Sequence, residues 1–363
     1  MAKVLCFVGV LAVLIVTLWP FNPFPQNGVS WLQGTHGLKF KKASLVMSHG
    51  PLRPPETDAE SYSLEFLLRP ANTERSYTIL GFYDPDRSRQ LLVRQWTDGL
   101  LVTHDATIDS DKTRTIKFDV DHVFIPGRLV QVTISWGPNG TTVYVDGQIA
   151  ESVSQFRISR SELSGEIVLG TSPVMFHPWI GELHGLAIYS RELTPADALR
   201  HYKDWTDPSG NPDLDGAMAR YTFAERAEKE VRNEVASGPS LEIPTRFSVP
   251  YKGMLLSPQS EFRADWTYIS DVVANIAGFV PLGVIVCAYL AWTRSRWKAI
   301  LVTTAACGIL SSVIEVLQYY VPRRASGTTD IITNTLGAAV GAMLTHSSLV
   351  RRGLELMKLF RNI

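Results

Sequence analysis

No cysteine lies between Cys6 and Cys287, so the long middle of this 363-residue chain cannot be held by disulfides and must be stabilised by its own core. Neither charge is in excess. With 35 Lys and Arg against 35 Asp and Glu, the charge gives no sign of nucleic-acid binding. The apolar start of the chain also lacks a small-residue cleavage site. Lys3 precedes the run Val4 to Trp19, but that run ends in Trp19-Pro20-Phe21-Asn22-Pro23-Phe24, which reads as an uncleaved anchor rather than a removable signal peptide.

Apolar residues concentrate in four stretches, Val4 to Trp19, Val272 to Trp292, Ala299 to Val321 and Ile331 to Val350. The last three approach the roughly 20 residues needed to cross a hydrocarbon core, and the first is slightly short. Lys3, then Arg294, Arg296 and Lys298, then Arg351, Arg352, Lys358 and Arg361 flank these stretches on alternate sides. The positive-inside rule therefore puts both termini and the loop after the second stretch in the cytoplasm. The long middle of the chain then lies outside. So does the turn carrying Arg323 and Arg324, against the charge bias.

From Val29 to Trp205, short β-branched or alternating apolar runs are separated by Gly, Pro, Asn and Asp, the pattern of a β-sandwich. Ser63 to Leu68, Tyr77 to Phe82, Arg128 to Trp136, Thr141 to Val145 and Leu183 to Tyr189 are among the clearest strands. Gly137-Pro138-Asn139-Gly140 supplies a hairpin turn, and Thr194-Pro195-Ala196-Asp197 opens a capped helix. The stretch VTISWGPNGTTVYVDGQ, followed by EIVLG and WIGELHGLAIYSRELTPADA, resembles the laminin-G-like, concanavalin A-like lectin/glucanase fold. That resemblance implies an antiparallel jelly roll, often sugar-binding and sometimes calcium-binding. Glycan hydrolases of the superfamily carry two glutamates flanking an aspartate on one strand. Here Asp119 and Asp121 alternate on one strand face without a third partner, so the paired acids of glycosidic chemistry are not in place.

Trp96, Trp179 and His177 are the candidate glycan contacts; core or rim packing fits each better, and Trp179 stands out because His177-Pro178-Trp179-Ile180-Gly181 reads as a loop entering a strand, where an exposed aromatic can meet a ligand. Calcium would need clustered oxygen ligands, for which Asp105, Asp109 and Asp111 are weak candidates; otherwise no cofactor is expected. After the capped helix, Ala219 to Pro244 resembles further sandwich strands, expected either to pair with the main domain or to run as a stalk toward the membrane.

The apolar stretches also contain polar residues at helical spacing: Asp271 with Asn275, Glu315 with Gln318, and Asp330 with Asn334. Each pair shares one helix face. Alternating span direction brings all three to a similar depth near the outer surface, below Arg323 and Arg324. Ionisable groups at such a depth are expensive and mark either a site or a scaffold of Arg-to-carboxylate pairs, with Gly278, Gly283, Gly337 and Gly341 permitting close helix approach. The order NIAGFVPLGVIV, then SSVIEVLQYYVPRRASGTTDIITNTLGAAVG, with TLWPFNPFPQNG at the end of the first helix, resembles the VanZ-like family of small membrane proteins. Its pattern carries onto Asn275, Pro281, Gly283, Glu315, Gln318, Arg323 or Arg324, Asp330, Asn334 and Gly337. No reaction follows from that resemblance.

The expected architecture is multidomain, with four transmembrane α-helices plus an all-β jelly-roll sandwich. Residues 1–24 form the first span, 25–211 the sandwich, 212–267 an extra β-rich segment and juxtamembrane stalk, 268–350 a VanZ-like three-helix membrane region and 351–363 a cytoplasmic tail. The expected setting is a bacterial cytoplasmic membrane with the sandwich outside. Expected partners are membrane lipid and a cell-envelope glycan or lipid-linked sugar, engaged by the sandwich and by a polar site of Asn275, Glu315, Gln318, Arg323, Arg324, Asp330 and Asn334. The competing readings are an intramembrane enzyme or transporter using Glu315 or Asp330, and a purely structural envelope protein.

Overall fold

The structure is a computed structural model and describes residues 2–55, 60–86, 89–109, 112–207, 212–236, 238–348 and 350. It divides into two compact units, one of residues 25–251 and one of residues 1–24 with 252–363.

The first unit is a jelly-roll sandwich of two antiparallel sheets. One runs in the order Ser30–Trp31, Leu38–Phe40, Gly181–Tyr189, Tyr62–Pro70, Val130–Gly137, Gly140–Val145 and Gln148–Val153, with Ala217–Tyr221 also paired to Gly181–Tyr189. The other runs Glu230–Val231, Leu241–Glu242, Val46–Leu52, Gly165–Leu169, Ser76–Asp84, Arg89–Trp96, Gly99–Asp109 and Lys112–Val120. The strands after residue 212 thus add to both sheets. Between the sheets, alternating residues such as Leu64, Phe66 and Leu68 pack with Val132, Ile134, Leu186 and Ile188. Fully burying an apolar side chain of this size contributes about 1.5–3 kcal/mol, and without disulfides this core must hold the unit. The turn at Pro138-Asn139 closes a hairpin in which Gly137 pairs with Gly140. Gly140 has φ of 116°, a conformation that an L side chain rarely adopts.

Strand Tyr62–Pro70 is buried on both faces. The helices are numbered in chain order: α1 (Ala2–Leu18), α2 (Arg160–Leu163), α3 (Pro195–Thr206), α4 (Pro258–Glu261), α5 (Trp266–Leu290), α6 (Arg296–Tyr319) and α7 (Thr328–Leu344). The helix on the second face of that strand is α3, which starts as a capping box: the Thr194 hydroxyl accepts the Asp197 N–H, and the Asp197 carboxylate accepts the Thr194 N–H at 3.0 Å. Its residues His201 and Trp205 both donate to Glu65 on the strand below, each at 3.1 Å.

The second unit is helical. Two of its helices, α5 and α6, are long and apolar enough to cross a membrane, and α1 is a shorter apolar helix. α5 and α7 touch backbone to backbone. A Cβ at Gly337 would overlap the carbonyl of Ile276, one at Gly341 the carbonyl of Val280, and one at Gly283 the carbonyl of Ala338. The Gly337-x-x-x-Gly341 spacing puts both small residues on one face of α7, the arrangement that lets apolar helices approach closely in lipid.

Candidate functional site

At one end of the helical unit, polar side chains from several elements meet. Gly327 precedes α7 and has no side chain to cap it, so the first N–H groups of that helix are met from elsewhere. Glu315 of α6, only 1% exposed, accepts the Gly327 N–H at 2.8 Å, and Glu261 of α4 accepts the Thr329 N–H at 3.0 Å. Negative charge at a helix N-terminus is also favoured by the helix dipole. One turn into α7, Asp330 accepts the Asn275 side-chain amide from α5 at 2.8 Å. Another turn on, Asn334 donates to the Ser311 hydroxyl of α6 at 3.0 Å.

The basic groups at this end do different work. Lys252 Nζ donates to the carbonyls of Gln318, Tyr319 and Val321 at 2.9, 2.7 and 2.9 Å, closing the C-terminal end of α6. Burial pushes its ammonium down to about 8, against the opposing pull of Glu315. Arg324 donates to the carbonyls of Trp19 and Val16 at 2.8 and 3.3 Å, and Gln318 donates to that of Thr17 at 2.9 Å, so both close the end of α1. The Arg-to-carboxylate lock expected from the sequence is therefore not what Arg324 makes: it caps a helix. Arg323 is exposed. Asn275 and Asp330 bond to each other, Glu315 and Asn334 bond across α6 and α7 at the same end, and the Gln318 amide goes instead to the end of α1. Lys252, Glu261 and Ser311 join them without having been picked out from the sequence. Lys252 lies in an irregular segment and Glu261 at the end of the single-turn helix α4, both before α5, where only Ser257-Pro258 marks local order in the sequence.

In the sandwich the candidate contacts separate. Trp179 is 1% exposed, its indole N–H donates to Gln95 at 2.9 Å, and it packs on Phe40. It is a core residue and offers no face to a sugar, which corrects the expectation for that position. Trp96, 54% exposed, and His177 are linked through Arg94, whose guanidinium lies 5.9 Å from the Trp96 ring and donates to His177 Nδ1 at 3.2 Å. Burial, then the Arg94 charge, lowers the His177 pKa, in keeping with a neutral ring that accepts this bond. Asp105 accepts the Thr115 hydroxyl at 3.0 Å. The Asp109 side chain and Asp111 lie outside the described residues. Among the described residues no group of three His, Cys, Asp or Glu is placed to hold a metal ion.

A cleft of about 600 Å³ opens elsewhere on the sandwich, where the end of α3 meets strands Gly181–Tyr189 and Ala217–Tyr221. Trp205 forms part of its wall, seated over Gly185 with the Arg220 guanidinium 4.7 Å from its ring. His184 donates through Nδ1 to the His36 carbonyl at 3.0 Å, and burial, then Arg69, lowers its pKa, so its other nitrogen carries a lone pair. Asp204 and Arg226 also line the cleft and make no ion pair among the described residues. This cleft is hard to read from the sequence because its lining comes from six separated segments, around residues 34–36, 67, 129, 184, 204–212 and 220–226.

Residues 218–351 match the VanZ/LLP1 family, and residues 47–198 match the concanavalin A-like lectin/glucanases superfamily. The chain joins a VanZ-like region to a lectin-like β-sandwich, called the lectin module below for its fold. No curated protein matches it. Among solved structures it is similar to a proposed carbohydrate binding protein from Bacteroides ovatus, at 14% identity over 60% of this chain and 62% of that one, with a TM-score of 0.40. It is also similar to the ligand binding domain of botulinum neurotoxin serotype D in complex with N-acetylneuraminic acid, at 15% identity over 50% and 45%, with a TM-score of 0.36. The chain thus spans less than two thirds of the length of either. The polar end of α5, α6 and α7 lies within the VanZ-like match, whereas the cleft of the lectin module draws on residues of both matches.

Proposed function

We propose that this is a multi-pass protein of the bacterial cytoplasmic membrane that binds a cell-envelope glycan through its lectin module and a lipid headgroup or lipid-linked sugar at the polar end of its VanZ-like helices. The observation that carries the reading is the meeting of Asn275, Glu315, Asp330 and Asn334 from three helices at one level, joined to one another or to helix ends by hydrogen bonds. Polar groups that merely decorated independent anchors would have no reason to share a depth.

Four spans, rather than the two that length and composition alone support, fit the outward faces of the shorter helices. Ile332, Leu336, Val340 and Met343 form an exposed apolar stripe on α7, as do Val4, Phe7, Val8, Leu11 and Ile15 on α1. Such faces suit lipid. Trp19, Phe21 and Trp266 are exposed near one set of helix ends and Trp292 and Trp297 near the other, a placement that matches the two interfacial belts of a bilayer. In this reading the polar end and the lectin module lie outside, and both termini lie in the cytoplasm.

Within the lectin module the cleft is the better glycan site than the exposed Trp96. It is concave and presents an aromatic wall, a carboxylate and a guanidinium, which together can accept from and donate to sugar hydroxyls. Full-length protein in detergent, tested against a panel of defined oligosaccharides, is expected to retain at least one. Asp204→Asn should weaken that binding roughly ten-fold, since a hydrogen bond to a charged group contributes about 1.5–3 kcal/mol, while Trp96→Ala should leave it unchanged. Retention of no member of the panel would contradict glycan binding.

A further inference from the structure

The charges at the polar end of α5, α6 and α7 do not balance. Lys252 uses its three N–H donors on carbonyls at the end of α6, and Arg324 donates to carbonyls at the end of α1. Neither donates to a carboxylate. Glu261, Glu315 and Asp330 meanwhile lie within electrostatic reach of one another, with Asp271 also near Asp330, so these four carboxyl groups share the one ammonium of Lys252 that reaches Glu315. The bonds they accept here go to one oxygen each: Glu261 Oε2 takes the Thr329 N–H, Glu315 Oε2 the Gly327 N–H and Asp330 Oδ1 the Asn275 amide.

A second observation is independent of the carboxylates. Two side chains more than nine-tenths buried carry oxygens with no partner among the described residues, Asn334 Oδ1 at 4% exposure and Thr329 Oγ1 at 9%. Asn334 stands one turn from Asp330 on α7, and its Nδ2 is fixed on Ser311, which stands one turn from Glu315 on α6. The free Asn334 oxygen therefore belongs to the same α6–α7 face as both carboxylates. A buried acceptor left without a donor is unfavourable, so a donor placed here would be held.

What remains open is a set of acceptor oxygens with net negative charge. A phosphate would be repelled by it. Among the described residues the set is also not gathered into three ligands for a metal ion. A primary ammonium supplies what is missing, one positive charge and three N–H donors that can reach oxygens on two helices.

We propose that the polar end of the VanZ-like helices binds a primary ammonium group, presented by a lipid headgroup or by a soluble amine. The inference rests on the reading of this end as a ligand site facing the outer leaflet.

The test uses full-length protein in nanodiscs of phosphatidylcholine doped with equal amounts of phosphatidylethanolamine, its N-monomethyl and N,N-dimethyl derivatives, or phosphatidylglycerol, with lipid retention read by native mass spectrometry. Retention is expected to fall stepwise as N–H is replaced by N-methyl, by roughly ten-fold from the primary amine to phosphatidylcholine, the change that corresponds to about 1.4 kcal/mol. Asp330→Asn should remove the preference, and because the methylation series alters only the lipid, the test holds even if that variant fails to insert. Free ethanolamine that displaces retained phosphatidylethanolamine, or that raises the unfolding temperature in pure phosphatidylcholine discs, supports the same chemistry from a soluble source. Equal retention of all amine lipids, or a preference for phosphatidylglycerol, overturns the ammonium while leaving a headgroup site. Retention of no lipid and no response to ethanolamine overturns both the ammonium and the outer-leaflet site.

Discussion

Replacing Gly337 with leucine is expected to abolish the packed helical unit rather than merely weaken it. A Cβ at Gly337 already overlaps the Ile276 carbonyl oxygen, and an overlap with backbone cannot be relieved by turning a side chain. Overpacking a well-packed interior typically costs about 1–3 kcal/mol when side chains can yield, so a clash that forces two helix backbones apart should exceed that range. The loss would spread. α7 carries Asp330 and Asn334, and moving it from α5 breaks the bond from Asn275 to Asp330. The variant should therefore lose protease resistance of residues 252–344 in detergent. Gly278→Leu serves as the control, because a Cβ there meets nothing within 4 Å. Equal stability of the two variants would mean that α5 and α7 do not pack as described.

In the lectin module the largest single loss is expected from Glu65→Ala. Glu65 is fully buried and accepts from Thr133 at 3.0 Å, from His201 and from Trp205. Its removal leaves three buried donors without an acceptor. Breaking a buried charge pair in this way costs about 3–5 kcal/mol, a large part of the roughly 5–15 kcal/mol that a domain has in total. The pair also sets a pH dependence. Burial works against the charge on His201, but the hydrogen bond and charge of Glu65, helped by Asp213, outweigh it and hold the imidazole pKa above its ordinary value. A raised histidine pKa adds stability in full below the unfolded value of about 6.5, and that stability is lost as pH rises through the higher folded value. The wild-type denaturation midpoint should thus fall from mildly acidic toward mildly alkaline pH. Glu65→Ala should lower it throughout and flatten this slope. A variant with an unchanged midpoint would show that the buried pair does not hold α3 to the sheet.

The sequence made the elements legible because their periods are simple. Alternation in Leu64, Phe66 and Leu68 marks a strand, and Asp330 four residues before Asn334 marks one helix face. What it hid was which way a side chain points. Trp179 enters a strand from a loop and reads as an exposed aromatic, yet its indole is bonded to Gln95 inside the core. Acids placed inside the apolar stretches below Arg323 and Arg324 suggested Arg-to-carboxylate pairs, but the helix ends compete for the same cations, and Arg324 and Lys252 satisfy carbonyls instead. The partners supplied by irregular segments, Lys252 and Glu261, carry no period and so leave no trace in the sequence pattern. The strands after residue 212 are only two to five residues long, which made their role in both sheets hard to read before the pairing was seen.

The most direct test of the central claim, that the polar end of the VanZ-like helices and the lectin module share the outer side of the membrane, is labelling of intact cells with a membrane-impermeant thiol reagent. In a background of Cys6→Ser, Cys287→Ala and Cys307→Ala, single cysteines are placed by Asn139→Cys in the lectin hairpin, Ala325→Cys in the exposed turn before α7, and Arg294→Cys between α5 and α6. The four-span account predicts that Asn139→Cys and Ala325→Cys are labelled in intact cells and that Arg294→Cys is labelled only after permeabilisation. Labelling of Arg294→Cys in intact cells, or protection of Ala325→Cys together with labelling of Asn139→Cys, would contradict it.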